Sequence, residues 1–359
     1  MRVIMRRLAF LVLLAALLLS GCGAQMSPDE AQESIQVIAM DTAMLITTYG
    51  ERSPAAAYAC EDVIRDLEAK LSRTDPDSEV SRLNNAGGEA VEVGEDLGRL
   101  IQIANTYHQW TDGALDISIA PVVSAWGFAE DSFRVPSQAE LEELLRLKGR
   151  PQFTTPGAVT SVTLSSGQSI DLGAIAKGYA ADKLVEVLQE YEVPRANISL
   201  GGNVLAYGDR PDGKPWRVGV QDPAKPGDKN AFAGVLELTD SFAVTSGGYQ
   251  RYFEQDGKTY HHIIDPATGY PAESGLTSVT VVADCALPEC PGTMCDAFST
   301  AFFIMGEEQA LDFWRFWKSS KTPFELVLIT EDGRVVVTEG LSDRFTLDES
   351  SGYAYEVVS

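Results

Sequence analysis

Residues 170–182 read IDLGAIAKGYAAD, and they combine an extended-looking start with a helical finish. The composition predicts a short strand running directly into a helix. Upstream, residues 161–164 and 168–172 carry β-type composition on either side of Gly167, the pattern of a hairpin. Downstream, Ala180, Leu184, Val187, Leu188 and Tyr191 recur at helical spacing, an apolar stripe for a core-facing helix. This places Gly173, Ala174, Lys177 and Gly178 in the first helical turn. Glycines there let a ligand's oxygens approach the backbone, the helix start offers unpaired N–H groups, and Lys177 adds a full positive charge. These are the parts of a phosphate cradle. They are equally the parts of a close helix contact beside a solvated lysine.

Around this segment the chain has 359 residues, enough for a full core in one large domain or two. Its formal net charge is −24, and no basic run follows the N-terminus, which argues against nucleic acid as a partner. At the N-terminus Arg2, Arg6 and Arg7 precede an apolar run over residues 8–19, followed by Ser20, Gly21 and Cys22. This is the pattern of a secretory signal peptide, with an apolar stretch too short to span a bilayer comfortably. The LLSGC sequence resembles a bacterial lipobox, in which Cys22 is lipidated and begins the mature chain. On that reading residues 1–21 are the lipoprotein signal peptide, 22–33 a flexible tether and 34–359 the working domain. The mature chain would carry −24 − 3 = −27, and it would lie outside the cytoplasm, anchored to the cell membrane through Cys22. Cys285, Cys290 and Cys295 are spaced five apart, which allows a local disulfide but matches no common zinc pattern.

Further elements follow from pattern alone. Residues 34–48 read as a strand containing Met40-Asp41-Thr42, residues 54–71 and 96–110 as helices, and residues 72–84 as a polar loop broken at Pro76. Asp116 sits in an apolar run; an acid there needs a partner, and capping the helix that begins near Pro121 would supply one. Residues 136–147 form an amphipathic helix. Residues 198–207 read as a strand broken at Gly201-Gly202, and residues 242–244 end at a Thr-Ser-Gly-Gly turn able to present N–H groups to an anion. His261 and His262 are adjacent in an extended segment, so they face opposite ways and cannot share one site. In the helix over residues 295–305, Asp296 and Thr300 share a face one turn apart. They suit a hard cation such as magnesium, or an N-cap with a back-bonded threonine.

Taken together and in order, Met40-Asp41-Thr42, DPDSEVSRLN, TDGALDISIAPVVSAWGF, IDLGAIAKGYAAD, SLGGN, TSGGY, HHIIDPATGYP and the Asp296…Thr300 helix resemble the ApbE-like FAD:protein FMN transferases, from about Ile35 onward. The resemblance implies a single α+β domain with largely antiparallel and mixed sheets and packed helices, of the T-fold-related kind. Hairpin signals outnumber strand-helix-strand units, in agreement. It implies that Met40, Ala114, Leu115, Asp116, Asp171, Lys177 and Ile264 contact FAD. The Ala174 carbonyl, Asp296 and Thr300 would hold Mg2+, with His262 as catalytic base assisted by Lys177 and His261 on the surface. The implied reaction moves FMN from FAD to a Thr or Ser hydroxyl of a target flavoprotein, either a membrane redox-complex subunit or a flavin-acceptor domain, and releases AMP. A histidine with a pKa near neutrality would accept the hydroxyl's proton.

The chain departs from the family pattern at Thr74, where many members carry an aromatic residue, and at Ser299, where some carry a second acid. Residues 285–292 form a longer loop. Two further readings use the same residues: a magnesium-dependent FAD pyrophosphatase, with water in place of the protein hydroxyl, and a flavin-binding lipoprotein without activity. A thiol-redox or zinc role for the late cysteines is a fourth.

Overall fold

The computed structural model describes residues 31–128, 132–154 and 160–359. The signal peptide, Cys22 and most of the tether lie outside the described residues. The strands, in chain order, are β1 (Gln32–Ala39), β2 (Thr42–Tyr49), β3 (Ala90–Glu92), β4 (Gln152–Thr154), β5 (Ser161–Thr163), β6 (Arg195–Leu200), β7 (Asn203–Tyr207), β8 (Trp216–Gln221), β9 (Phe232–Leu238), β10 (Ser241–Gly247), β11 (Tyr252–Gln255), β12 (Lys258–His261), β13 (Leu276–Asp284), β14 (Glu325–Thr330), β15 (Arg334–Thr338), β16 (Phe345–Leu347) and β17 (Ala354–Val358). The helices are α1 (Ser53–Leu71), α2 (Glu79–Asn84), α3 (Glu95–Trp110), α4 (Ala120–Trp126), α5 (Gln138–Leu145), α6 (Ala176–Glu190), α7 (Pro291–Met305) and α8 (Glu307–Trp317).

One nine-stranded sheet, in the order β1-β2-β6-β7-β10-β13-β14-β15-β17, organises the molecule. Its pairings are antiparallel except for β15 with β17. This is the α+β architecture expected. Side-chain alternation gives the sheet two different faces. Val279, Val281, Leu326 and Leu328 face the main core with helices α1, α3, α6, α7 and α8, whereas Val282, Val327 and Ile329 face a second core closed by the small sheet β16-β9-β8. No described helix is long and apolar enough to cross a membrane.

Several local expectations are corrected. Residues 34–48 are not one strand: β1 and β2 form a hairpin whose turn is Met40-Asp41, both at positive φ (48° and 59°). Strand β1 also takes in Gln32 and Glu33, which were assigned to the tether. The loop over residues 72–84 contains α2, which Ser78 caps by accepting from the Ser81 N–H. Gly201 and Gly202, at φ 66° and 112°, turn the chain between β6 and β7 rather than merely interrupting a strand.

The largest correction concerns the segment quoted first. Residues 168–172 form no strand, and β5 pairs with β3 and β4 instead of with them. The Asn84 side chain takes the place of a strand partner: its amide donates to the Ile170 carbonyl and its oxygen accepts from the Ile170 N–H. Helix α6 then begins at Ala176, so Gly173 and Ala174 lie in the turn before the helix, and only Lys177 and Gly178 fall in its first turn. The four described cysteines are free thiols, so the disulfide that their spacing allows is not formed.

Candidate active site

A cavity of about 860 Å³ opens where the β1–β2 turn, the turn before α6, the end of β10 and the middle of α7 converge. Its size is at the upper end for a small-molecule site, as an elongated ligand requires. Met40, Ala114, Leu115, Asp116, Asp171, Ala174, Lys177, His262, Ile264, Asp296 and Thr300 all line it. Every sequence-predicted site residue within the described chain is thus brought to one place.

Each is held by identifiable contacts. The Met40 N–H donates to the Glu68 carboxylate on α1 at 2.7 Å, which secures the left-handed turn. Asp116 has the partners its setting demands: its Oδ1 accepts from the Ser118 N–H and hydroxyl at 2.9 and 2.6 Å. It caps the short turn Ile117–Ile119 ahead of α4, rather than α4 itself. Asp171 accepts from the Gly173 N–H at 2.7 Å and pairs with Arg73 Nε at 2.9 Å. Lys177 Nζ reaches back to the Gly173 carbonyl at 3.2 Å. Ile264 packs with Trp126 and Phe128 in a small apolar cluster beside the cavity.

At the inner corner α6 and α7 meet. The Gly178 N–H, whose helical partner would be the Ala174 carbonyl, donates instead to Asp296 Oδ2 at 2.8 Å. Ala174 therefore keeps its carbonyl clear of the helical bond, on the same cavity wall as Asp296 and Thr300. A carboxylate, a hydroxyl and a carbonyl form an all-oxygen donor set that fits a hard divalent cation. Asp182 fixes the helix pair: its buried carboxylate accepts from the Gly292 and Thr293 N–H groups at 2.7 and 2.8 Å and from the Thr293 hydroxyl at 2.6 Å. Burial pushes the Asp182 pKa up to about 6.

The two histidines do face different ways, but neither behaves as expected. His261 is not a surface residue: it is half-buried, its ring meets Phe303 edge-on at 5.4 Å and its Nε2 bonds the Ala272 carbonyl at 3.0 Å. His262 Nδ1 lies 3.1 Å from the Arg251 carbonyl, which makes Nδ1 the protonated nitrogen and leaves Nε2 as an acceptor. Desolvation by burial is the main influence on this ring and lowers its pKa to about 4, well below the neutral value expected.

Four further residues escaped the sequence reading. Arg73 partners Asp171, Glu68 holds Met40, and Ser246 contacts Thr300 Oγ1 at 3.1 Å. Asn203, 3% exposed, lines the cavity with a buried Nδ2 that has no hydrogen-bond partner. Ser246 and Asn203 lie inside motifs that were singled out, TSGGY and SLGGN, but sequence does not say which member of a motif faces the cavity. Thr74 lines the cavity and its hydroxyl bonds Ser72, so no ring is offered at that position. Burial pushes the Cys285 thiol up to about 12 and also raises those of Cys290 and Cys295, which works against a thiol-redox role for the late cysteines.

The fold and this site define an α+β protein with one large cavity that carries oxygen donors and a lysine at one end, a site for an elongated anionic ligand. The comparisons agree. The ApbE family profile matches residues 40–322. The FAD:protein FMN transferase of Treponema pallidum is 33% identical over 342 residues, covering 90% of this chain and 91% of that protein. That of Haemophilus influenzae is 30% identical, covering 80% and 82%. Among solved structures, the ApbE protein of Thermotoga maritima aligns with a TM-score of 0.77 at 31% identity, covering 86% of this chain and 98% of the other. The apo form of the Pseudomonas stutzeri flavinyl transferase ApbE aligns at 0.74 and 25%, covering 88% and 97%. The chain belongs to the ApbE family.

Proposed function

We propose that this chain is an FAD:protein FMN transferase: it moves FMN from FAD onto a Thr or Ser hydroxyl of a target flavoprotein and releases AMP. The observation that carries this reading is the convergence of eleven predicted residues, drawn from five separated motifs, on one cavity. Magnesium held by the Asp296 carboxylate, the Thr300 hydroxyl and the Ala174 carbonyl would neutralise charge on the diphosphate. Lys177 adds a positive charge beside the same corner. Met40, Ala114, Leu115, Asp116, Asp171 and Ile264 bind and orient the dinucleotide along the cavity, so that the reaction becomes one of position.

His262 performs the proton transfer. With Nδ1 held by the Arg251 carbonyl, Nε2 takes the proton from the acceptor hydroxyl as its oxygen bonds to the FMN-side phosphorus. The bond from that phosphorus to the bridging oxygen breaks, and AMP departs with that oxygen. The acceptor would be a membrane redox-complex subunit or a flavin-acceptor domain. The LLSGC sequence supports a lipid anchor at Cys22 and a location outside the cytoplasm.

The test is incubation of the chain with FAD, magnesium and a flavin-acceptor domain, followed by the acceptor's mass. An FMN adduct is the expected result. FMN and AMP without an adduct would make the protein a pyrophosphatase, and unchanged FAD would make it a binder.

A further inference from the structure

Three hydroxyls at the inner corner form a chain whose direction is determined. Each has one proton to give and lone pairs to accept with. The Ser299 hydroxyl donates to the Asp296 carbonyl at 2.9 Å, and a carbonyl can only accept. Its single proton is then committed, so in the 2.8 Å contact between Ser299 and Ser246 the donor is Ser246. That commits the Ser246 proton, so in the 3.1 Å contact between Ser246 and Thr300 the donor is Thr300. The proton of Thr300 is drawn back toward β10, and its lone pairs are left for the cavity it lines.

We propose that Ser246 and Ser299 are positioning residues that hold the Thr300 hydroxyl as an oxygen donor to a divalent cation. This rests on the reading of Thr300 as a metal ligand. A hydroxyl that rotates freely presents its proton to the cation part of the time; one tied at its proton presents only oxygen. Groups that orient a metal ligand in this way commonly matter 10- to 100-fold, by order of magnitude, in affinity.

The proposal also gives Ser299 a purpose where some relatives carry an acid. Ser299 is fully buried and turned toward Ser246 and the Asp296 backbone, rather than lining the cavity. It ends the chain of hydroxyls on a carbonyl and leaves Asp296 to supply the negative charge. An ionised acid at that depth would need a partner of its own.

The probe is Mn2+, titrated into the full chain and followed by the electron paramagnetic resonance signal of the free ion. Ser246→Ala should weaken Mn2+ binding roughly tenfold, while Ser246→Thr, which keeps a hydroxyl, should stay within about twofold of the unsubstituted chain. Ser299→Ala, a second break in the chain of hydroxyls, should weaken binding in the same direction, and Thr300→Val should weaken it at least as much as Ser246→Ala. Normal Mn2+ affinity in Ser246→Ala beside a clear loss in Thr300→Val would overturn the proposal and leave the metal assignment standing. Equal losses in Ser246→Ala and Ser246→Thr would also overturn it, since packing rather than the hydroxyl would then be responsible. Normal affinity in Thr300→Val would remove the metal assignment itself, and the proposal with it.

Discussion

The backbone N–H of Gly178, in the first turn of α6, donates a 2.8 Å hydrogen bond to the Asp296 carboxylate on α7, across 118 residues of sequence. A helix start that would otherwise present this N–H to a ligand is occupied by a side chain of its own protein. This N–H is therefore not free for an anion, which favours the proposed cation site over a bare anion cradle. On the proposed reading, the phosphate-facing charge would come from Lys177 and from a cation held by Asp296, Thr300 and the Ala174 carbonyl.

Gly178→Ala should damage this corner directly. An added Cβ would sit 2.3 Å from the Gly292 carbonyl oxygen and 2.7 Å from the Asp296 Cβ, so α6 and α7 would have to part. The expected loss is about 1–3 kcal/mol of stability, with weaker metal binding alongside it. Urea unfolding and a metal titration measure the two; a variant as stable as the parent would refute the tight contact.

Asp296→Asn separates charge from architecture. The amide oxygen can still accept from the Gly178 N–H, so the fold should survive with a change of about 1 kcal/mol or less. Divalent-ion affinity should fall more than tenfold, because a hard cation loses its anionic ligand. Calorimetry on the two proteins distinguishes this from general disruption, which would lower the melting temperature as well.

The low pKa of His262 sets the pH profile. With His262 as the proposed base, the neutral ring would be the active form, so the rate should fall as pH drops through about 4 and stay level above pH 5 as far as this group is concerned. An ordinary histidine would give an inflection near 6.5. A kcat/KM profile for transfer decides between them. His262→Ala should abolish transfer while FAD still binds.

Glu68→Ala releases the Met40 N–H and with it the turn of two left-handed residues, a conformation that costs on the order of 1–3 kcal/mol where nothing holds it. FAD affinity, read from flavin fluorescence, should drop severalfold. Glu68→Gln, which keeps an accepting oxygen, should recover most of it; equal losses in both variants would point to charge instead.

Much of the fold was legible because periodicity is a local property. Helices α1 and α3 start one residue before their predicted bounds and end where predicted, since their apolar spacing leaves one buried face. Strands β13, β14 and β15 carry β-branched runs that make them equally legible. Two of the misreadings share one physical origin, a partner distant in sequence. Residues 168–172 have strand composition, but Asn84 satisfies Ile170 and forestalls a ladder. The short α2 was hidden because its start depends on the Ser78 cap more than on any apolar stripe. His261 reads as exposed until Phe303 and Ala272 are seen to enclose it.

The sequence by itself determined the inventory at the site: which residues carry oxygen, charge or an imidazole, the family they resemble, and the antiparallel character of the sheet. Only the tertiary structure decided what these residues do to one another. It moved Ala174 out of the helix, gave the Gly178 N–H to Asp296, lowered the His262 pKa by burial, and set the direction of the hydroxyls behind Thr300. Local spacing specifies backbone conformation, whereas the partner of a donor, and the water it loses, are specified by whatever the folded chain brings against it.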